Sequence, residues 1–166
     1  TLGKPGEAAA PVKTSPAFFD ASGCTVEQHF AVSKDGTRVP YFQVGHKGMV
    51  LDGGNPTVLS GYGGFEQALT PAYSGVVGRG WLERSYTDES GVLRRGVYVL
   101  ANIRGGGEYG PDWHRAALQQ NRHRAYEDFA AVAQDLTSRG VTSRDHLGCT
   151  GRSNGGLLVG NMLTLY

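Results

Sequence analysis

This chain has no excess of charge, no cysteine framework, no long apolar run and no metal-ligand spacing, and each gap closes off a class of function. Lys and Arg number 16 against 15 Asp and Glu, a formal net charge of +1, so there is no electrostatic footprint for nucleic acid or an anionic membrane. Two cysteines, Cys24 and Cys149, are too few for a disulfide scaffold and are not spaced as zinc ligands. The histidines, His29, His46, His114, His123 and His146, form no H-E-x-x-H or related pattern. Neither a metal nor another cofactor is expected. No apolar stretch approaches the ~20 residues of a membrane span, and the opening "TLGKPGEAAAPVKTSP" has neither a basic start nor an apolar signal core. The expectation is a soluble chain, cytoplasmic or periplasmic, with no nucleic acid or membrane as partner.

Glycine is what the chain has in quantity. Its 26 glycines among 166 residues exceed twice the ~7% average of globular chains, and they cluster in "GYGGF", "RGGGEYG" and "GRSNGG". Clustering of this kind indicates tight functional loops, not low complexity. Residues 1–22 carry no helical or strand period and are expected to be a linker or the exit from an upstream domain, with order beginning near Gly23. Residues 23–166 are long enough for the main part of one domain. "TVEQHFAVS" and "RVPYFQVG" flank "KDG" as a β-hairpin. "TVLSG" reads as a short strand, "YSGVVGRGWLERS" as a glycine-weakened helix, and "GVYVLANI" as a strand buried on both faces. The clearest helix is "RHRAYEDFAAVAQDLTSRG", with Phe129, Val132, Ala133 and Leu136 on one stripe and Gly140 placed as its cap. "HLGCTG" and "NGGLLVGNMLTLY" follow as strand and helix. Strand and helix alternate, which argues an α/β fold with a mainly parallel sheet and its site at the carboxyl ends of the strands.

Gly151-Arg152-Ser153-Asn154-Gly155 matches G-x-S-x-G, whose glycines allow a sharp strand-to-helix turn that projects a serine hydroxyl from the sheet. The setting fits: an apolar strand stops just before the motif and a helix starts at its end. There the Asn154 N–H would stand at a helix N-terminus, suited to stabilising an oxyanion. Gly105, Gly107 and Gly110 also spell G-x-G-x-x-G after a strand, with Asp128 further on, as a nucleotide-binding module would require. That reading meets two obstacles, because Pro111 follows the last glycine and Asp128 lies inside a helix. A single arginine before the glycines does not make an RNA-binding tract. Glu127 and Asp128 diverge by about 100° on a helix, so they are expected on a solvated edge and not as paired catalytic carboxylates.

Taken together and in order, "SKDGTRVPYF", "GYGGF", "ANIRGGGEYG", "DWH" and "SNGGLL" resemble the prolyl oligopeptidase family of serine peptidases, from about Gly23 to Tyr166. The resemblance implies an α/β-hydrolase catalytic domain normally accompanied by a β-propeller that limits substrate size, with short peptides as substrates. It implies Ser153 as nucleophile, the Asn154 N–H and the Tyr62 hydroxyl as oxyanion donors, and Phe65 as a residue lining the pocket for the substrate's proline side. Two features depart from the pattern. Arg152 stands where the family usually has glycine, and "SYTDESGVLRR" lengthens the passage into a strand at the edge opposite the catalytic one. In α/β-hydrolases the acid and the histidine follow the nucleophile in the chain, and "NGGLLVGNMLTLY" contains neither. The expectation is therefore the front part of a catalytic domain, ending just after the nucleophile turn and inactive alone, with the remainder of that domain and a propeller as partners. An inactive or esterase-type α/β-hydrolase relative is the alternative.

Overall fold

The computed structural model describes residues 4–6 and 8–166, and the linker expected over residues 1–22 lies outside that range at residues 1–3 and 7. Strands β1 (Cys24–Val32) and β2 (Arg38–His46) form the expected hairpin. Gly36 takes φ = 82° in its turn, which a side chain would oppose. Next come β3 (Thr57–Gly61), the short helix α1 (Gly75–Val77) continued by a π-turn over Gly78–Leu82, and a small hairpin of β4 (Ser85–Thr87) and β5 (Leu93–Arg95). Then follow β6 (Val97–Ala101), α2 (Pro111–Arg115), α3 (His123–Ser138), β7 (Leu147–Thr150) and α4 (Asn154–Leu165).

The main sheet runs β1-β2-β6-β3-β7. β1, β2 and β6 are joined antiparallel, while β6, β3 and β7 are mutually parallel. The sheet is thus mixed: the parallel half carries the crossovers, and the hairpin extends it on one side. Helix α3 covers one face through Ala125, Phe129, Val132 and Leu136 against Val39, Tyr41, Leu59 and Val99, all buried. Each large apolar side chain sequestered there contributes ~1.5–3 kcal/mol. The helix stops at Gly140, where φ = 70° lets the Gly140 and Val141 amides bond back to the Thr137 and Leu136 carbonyls, both at 3.0 Å. This closes the last turn and brings two apolar residues, Leu136 and Val141, together beneath it.

The second face is less covered than the apolar run of β6 predicts. Val97, Val99 and Ala101 are buried, whereas Tyr98 and Leu100 are half-buried and line a cavity of about 450 Å³ with Val26, Val44 and Phe19. Ordered contacts also begin before Gly23. The Phe18 and Phe19 amides donate to the Tyr73 hydroxyl at 2.6 and 2.8 Å, and the Phe19 ring stacks on Tyr73 with centroids 4.7 Å apart. The stretch "SYTDESGVLRR" forms an anchored hairpin. Arg94 on β5 is buried and pairs with Asp52 and Asp88, each at 2.7 Å. Among the described residues, no helix is long and apolar enough to cross a membrane.

Candidate active site

β3 and β7 lie side by side and parallel, with Ser60 opposite Thr150, so the segments that leave their carboxyl ends emerge together. From β7 the chain turns through Gly151, Arg152 and Ser153 and enters α4 at Asn154, the boundaries the motif demands. Ser153 has φ = 57° and ψ = −120°, a conformation that costs a non-glycine residue ~1–3 kcal/mol. The flanking glycines make the turn possible. A Cβ on Gly151 would lie 2.2 Å from the Gly155 carbonyl oxygen, and one on Gly155 would lie 2.6 Å from that of Gly61. Both obstacles are backbone, which cannot rotate away. Ser153 is exposed and its side chain does not cap the helix it precedes, so the hydroxyl is not engaged by that helix. Arg152 is exposed beside it.

The amides of Gly155, Gly156 and Leu157 bond to the carbonyls of Arg152 and Ser153. The Asn154 N–H, at the first position of α4, belongs to the first-turn set that has no acceptor within the helix. The Asn154 side chain reaches a different element, with Nδ2 donating to the Tyr62 carbonyl at 2.6 Å. Tyr62 directly follows β3, and this bond ties its backbone to the turn that carries Ser153. Phe65 and Glu66, three and four residues on, adopt φ = 52° and 55°. Their loop throws the Phe65 ring outward, 74% exposed, with its centroid 6.4 Å from the Tyr62 ring. Ser153, Asn154, Tyr62 and Phe65 therefore sit at one edge of the sheet.

The third glycine cluster supports this edge from beneath. Gly105, at φ = 97°, packs so closely that a Cβ there would fall 2.2 Å from the Gly63 carbonyl oxygen, and one on Gly107 would fall 2.1 Å from that of Glu66. The space that a pyrophosphate would need over a G-x-G-x-x-G loop is filled by the chain itself, which removes the nucleotide-binding alternative. Asp128 is likewise committed. It is fully buried, not on a solvated edge: its carboxylate accepts from Arg104 Nη2 at 2.6 Å, from Arg104 Nε at 2.9 Å and from the Arg104 amide at 3.0 Å. The helix turns Asp128 to the same side as Ala125 and Val132, and a buried guanidinium there compensates its charge. Glu127 points elsewhere and meets Lys34 at 3.3 Å. Asp35 binds Arg104 from the other side at 2.5 Å, and that hydrogen-bonded guanidinium holds its carboxyl well below the usual carboxylate range. Arg104 thereby fixes the start of the glycine loop.

Sequence reasoning missed Arg104, Asn102 and Glu108, polar residues that follow or enclose an apolar strand end. Asn102 is buried and donates to the Leu69 carbonyl at 2.7 Å and to Glu108 Oε1 at 3.1 Å. Glu108 in turn accepts the Leu69 amide at 3.1 Å. Together they hold the segment that follows Phe65. The only sequence signal was their place at the carboxyl end of β6. The five histidines have other partners: His46 with the Leu82 carbonyl, His114 with that of Gly105, His123 with that of Gln120, His29 with Glu27 and His146 with Ser143. Among the described residues no group of three or more His, Cys, Asp or Glu could hold a metal ion.

The model of the prolyl oligopeptidase family matches residues 85–165. An uncharacterized peptidase of Sinorhizobium fredii is 54% identical over 149 residues, covering 90% of this chain and 19% of that protein. The prolyl endopeptidase of Elizabethkingia miricola is 43% identical over 147 residues, covering 89% and 19% respectively. Among solved structures, a post-proline cleaving enzyme from Rickettsia typhi superimposes with a TM-score of 0.82 at 42% identity, over 92% of this chain and 21% of that one. The chain spans about a fifth of the length of the relatives it matches.

Proposed function

We infer, for a chain that belongs to the prolyl oligopeptidase family and carries part of its α/β-hydrolase catalytic domain, that Ser153 is the nucleophile of a serine peptidase acting on short peptides. The observation that carries this reading is the Ser153 turn. A serine held at φ = 57° between a strand and a helix, with both neighbouring glycines against backbone, is a conformation kept for its chemistry.

In the proposed reaction Ser153 Oγ attacks the scissile carbonyl carbon as its proton passes to a histidine base. The carbonyl oxygen, now an anion, is held by the Asn154 N–H and the Tyr62 hydroxyl. The C–N bond then breaks as the base returns the proton to the leaving amine, and water hydrolyses the ester left on Ser153. No histidine or aspartate follows Ser153 in these 166 residues, and in this fold both come after the nucleophile. The base and acid are assigned to the part of the protein outside this segment, and a β-propeller is proposed to limit substrate size. Phe65 presents an exposed ring to the substrate's proline side, and the names of two relatives, a prolyl endopeptidase and a post-proline cleaving enzyme, support the choice of proline.

The test is active-site labelling of the complete protein. A fluorophosphonate should attach to Ser153, and Ser153→Ala should abolish both labelling and cleavage of a proline-containing reporter peptide while the melting temperature is kept. Labelling of the alanine variant at the wild-type rate would refute the assignment.

A further inference from the structure

We propose that Arg122 is a positioning residue that locks the Tyr62 loop to the nucleophile turn and so sets the spacing of the two oxyanion donors. The proposal rests on the serine peptidase reading above. Arg122 sits between the 3-10 turn Gln119–Asn121 and α3, remote in sequence from every glycine cluster. Its Nη1 donates to the carbonyl of Gly63, the residue after Tyr62, and its Nη2 approaches Asn154 Oδ1 at 3.5 Å. Asn154 Nδ2 holds the Tyr62 carbonyl at 2.6 Å. Two consecutive carbonyls, on either side of a glycine at φ = 59°, are thus gripped by side chains from two different elements, and those side chains also meet each other. The peptide planes after Tyr62 are fixed relative to α4.

The third cluster closes on the same point, since a Cβ on Gly105 would lie 3.0 Å from Arg122 Nη1. The guanidinium also stands 5.3 Å from the centroid of the Tyr126 ring. It pairs with no carboxylate among the described residues. Its acceptors are instead a carbonyl and an amide oxygen of the site itself. A planar fork of fixed N–H directions suits this bridge, whereas a lysine ammonium would supply one charge and no fixed angle between two acceptors.

The consequence is kinetic. Misplacing a catalytic group by ~1 Å costs up to ~10²-fold in rate, and an oxyanion contact acts in the transition state, so the loss belongs in kcat and not in KM. In the complete protein, Arg122→Met should lower kcat about 10–100-fold with KM changed less than about twofold, and Arg122→Lys should fall between it and wild type. The deciding measurement is a cycle with Tyr62→Phe. If Arg122 acts by placing the Tyr62 hydroxyl, removing Arg122 should cost little more once that hydroxyl is gone. Multiplicative losses, or a wild-type kcat in Arg122→Met, would overturn the clamp while leaving the oxyanion reading intact. A wild-type kcat in Tyr62→Phe would remove the oxyanion reading and the clamp with it. Melting temperatures accompany each variant, and if Arg122→Met does not fold, Arg122→Lys and Arg122→Gln carry the same cycle.

Discussion

Replacing Asp128 by asparagine asks how much the buried ion pair contributes to holding the glycine loop. The carboxylate is fully buried and takes the Arg104 Nη2, Nε and backbone N–H at 2.6, 2.9 and 3.0 Å. Asparagine keeps the shape but turns one acceptor into a donor that faces other donors. Neutralising one member of a buried pair costs ~3–5 kcal/mol because the partner's charge is left uncompensated. Arg104 would still have Asp35 at 2.5 Å, so the lower end, ~3 kcal/mol, is expected. Asp35 is itself 39% exposed, and water would replace much of what Asp35→Asn removes, leaving ~1 kcal/mol or less. At 1.36 kcal/mol per tenfold, the first loss is on the order of 10² in a local opening equilibrium and the second less than about tenfold. Hydrogen exchange at the amides of Arg104, Gly105 and Gly106 in the complete protein reads this directly, because those amides are bonded to Asp128, the Trp113 carbonyl and the Ile103 carbonyl. Equal exchange in the two variants, or wild-type exchange in Asp128→Asn, would refute the reasoning.

Gly155→Ala places a methyl 2.6 Å from the Gly61 carbonyl oxygen, so a loss of ~1–3 kcal/mol in thermal unfolding is expected, together with slower fluorophosphonate labelling of Ser153. The Asp52 carboxyl is drawn down to about 2, chiefly by its hydrogen bonds from Arg94, against ~3.9 in an unfolded chain. Its contribution is therefore present above about pH 4 and lost as pH falls through about 2. Hydrogen exchange over residues 85–95 should rise in that window, and Asp52→Asn should flatten the pH dependence. Phe65→Ala removes a ring that is 74% exposed and should leave the melting temperature unchanged while raising KM for a proline reporter several-fold. An unchanged KM would take Phe65 out of the substrate pocket.

What the sequence made legible was the periodic part. The stripe of α3, the hairpin turn at Gly36 and the strand-turn-helix around Ser153 all follow from spacing and glycine alone, since local geometry is enough to require them. The long-range polar partners were not legible. Asp128 was expected to be solvated because charge on a helix normally is, and nothing nearby in the chain announces Arg104, 24 positions earlier. Arg122 gives no pattern at all, because its role depends on Gly63 and Asn154, which lie 59 and 32 positions away. The covering of β6 was misjudged for a related reason: an apolar run records that a strand can be buried on two faces, while burial itself depends on what packs there.

The bond between Asn154 and Tyr62 spans 92 positions, and it fixes an order of events during synthesis. β3 leaves the ribosome before its parallel neighbour β7, which follows only after β6 and the whole of α3 have been made. Pairing over such a separation is slow, and the Tyr62 loop and the Ser153 turn meet only when it is complete. Until then the emerging polypeptide has a tyrosine loop with nothing to oppose it. The edge that gathers Ser153, Asn154, Tyr62 and Phe65 therefore cannot exist before the last of these strands has paired.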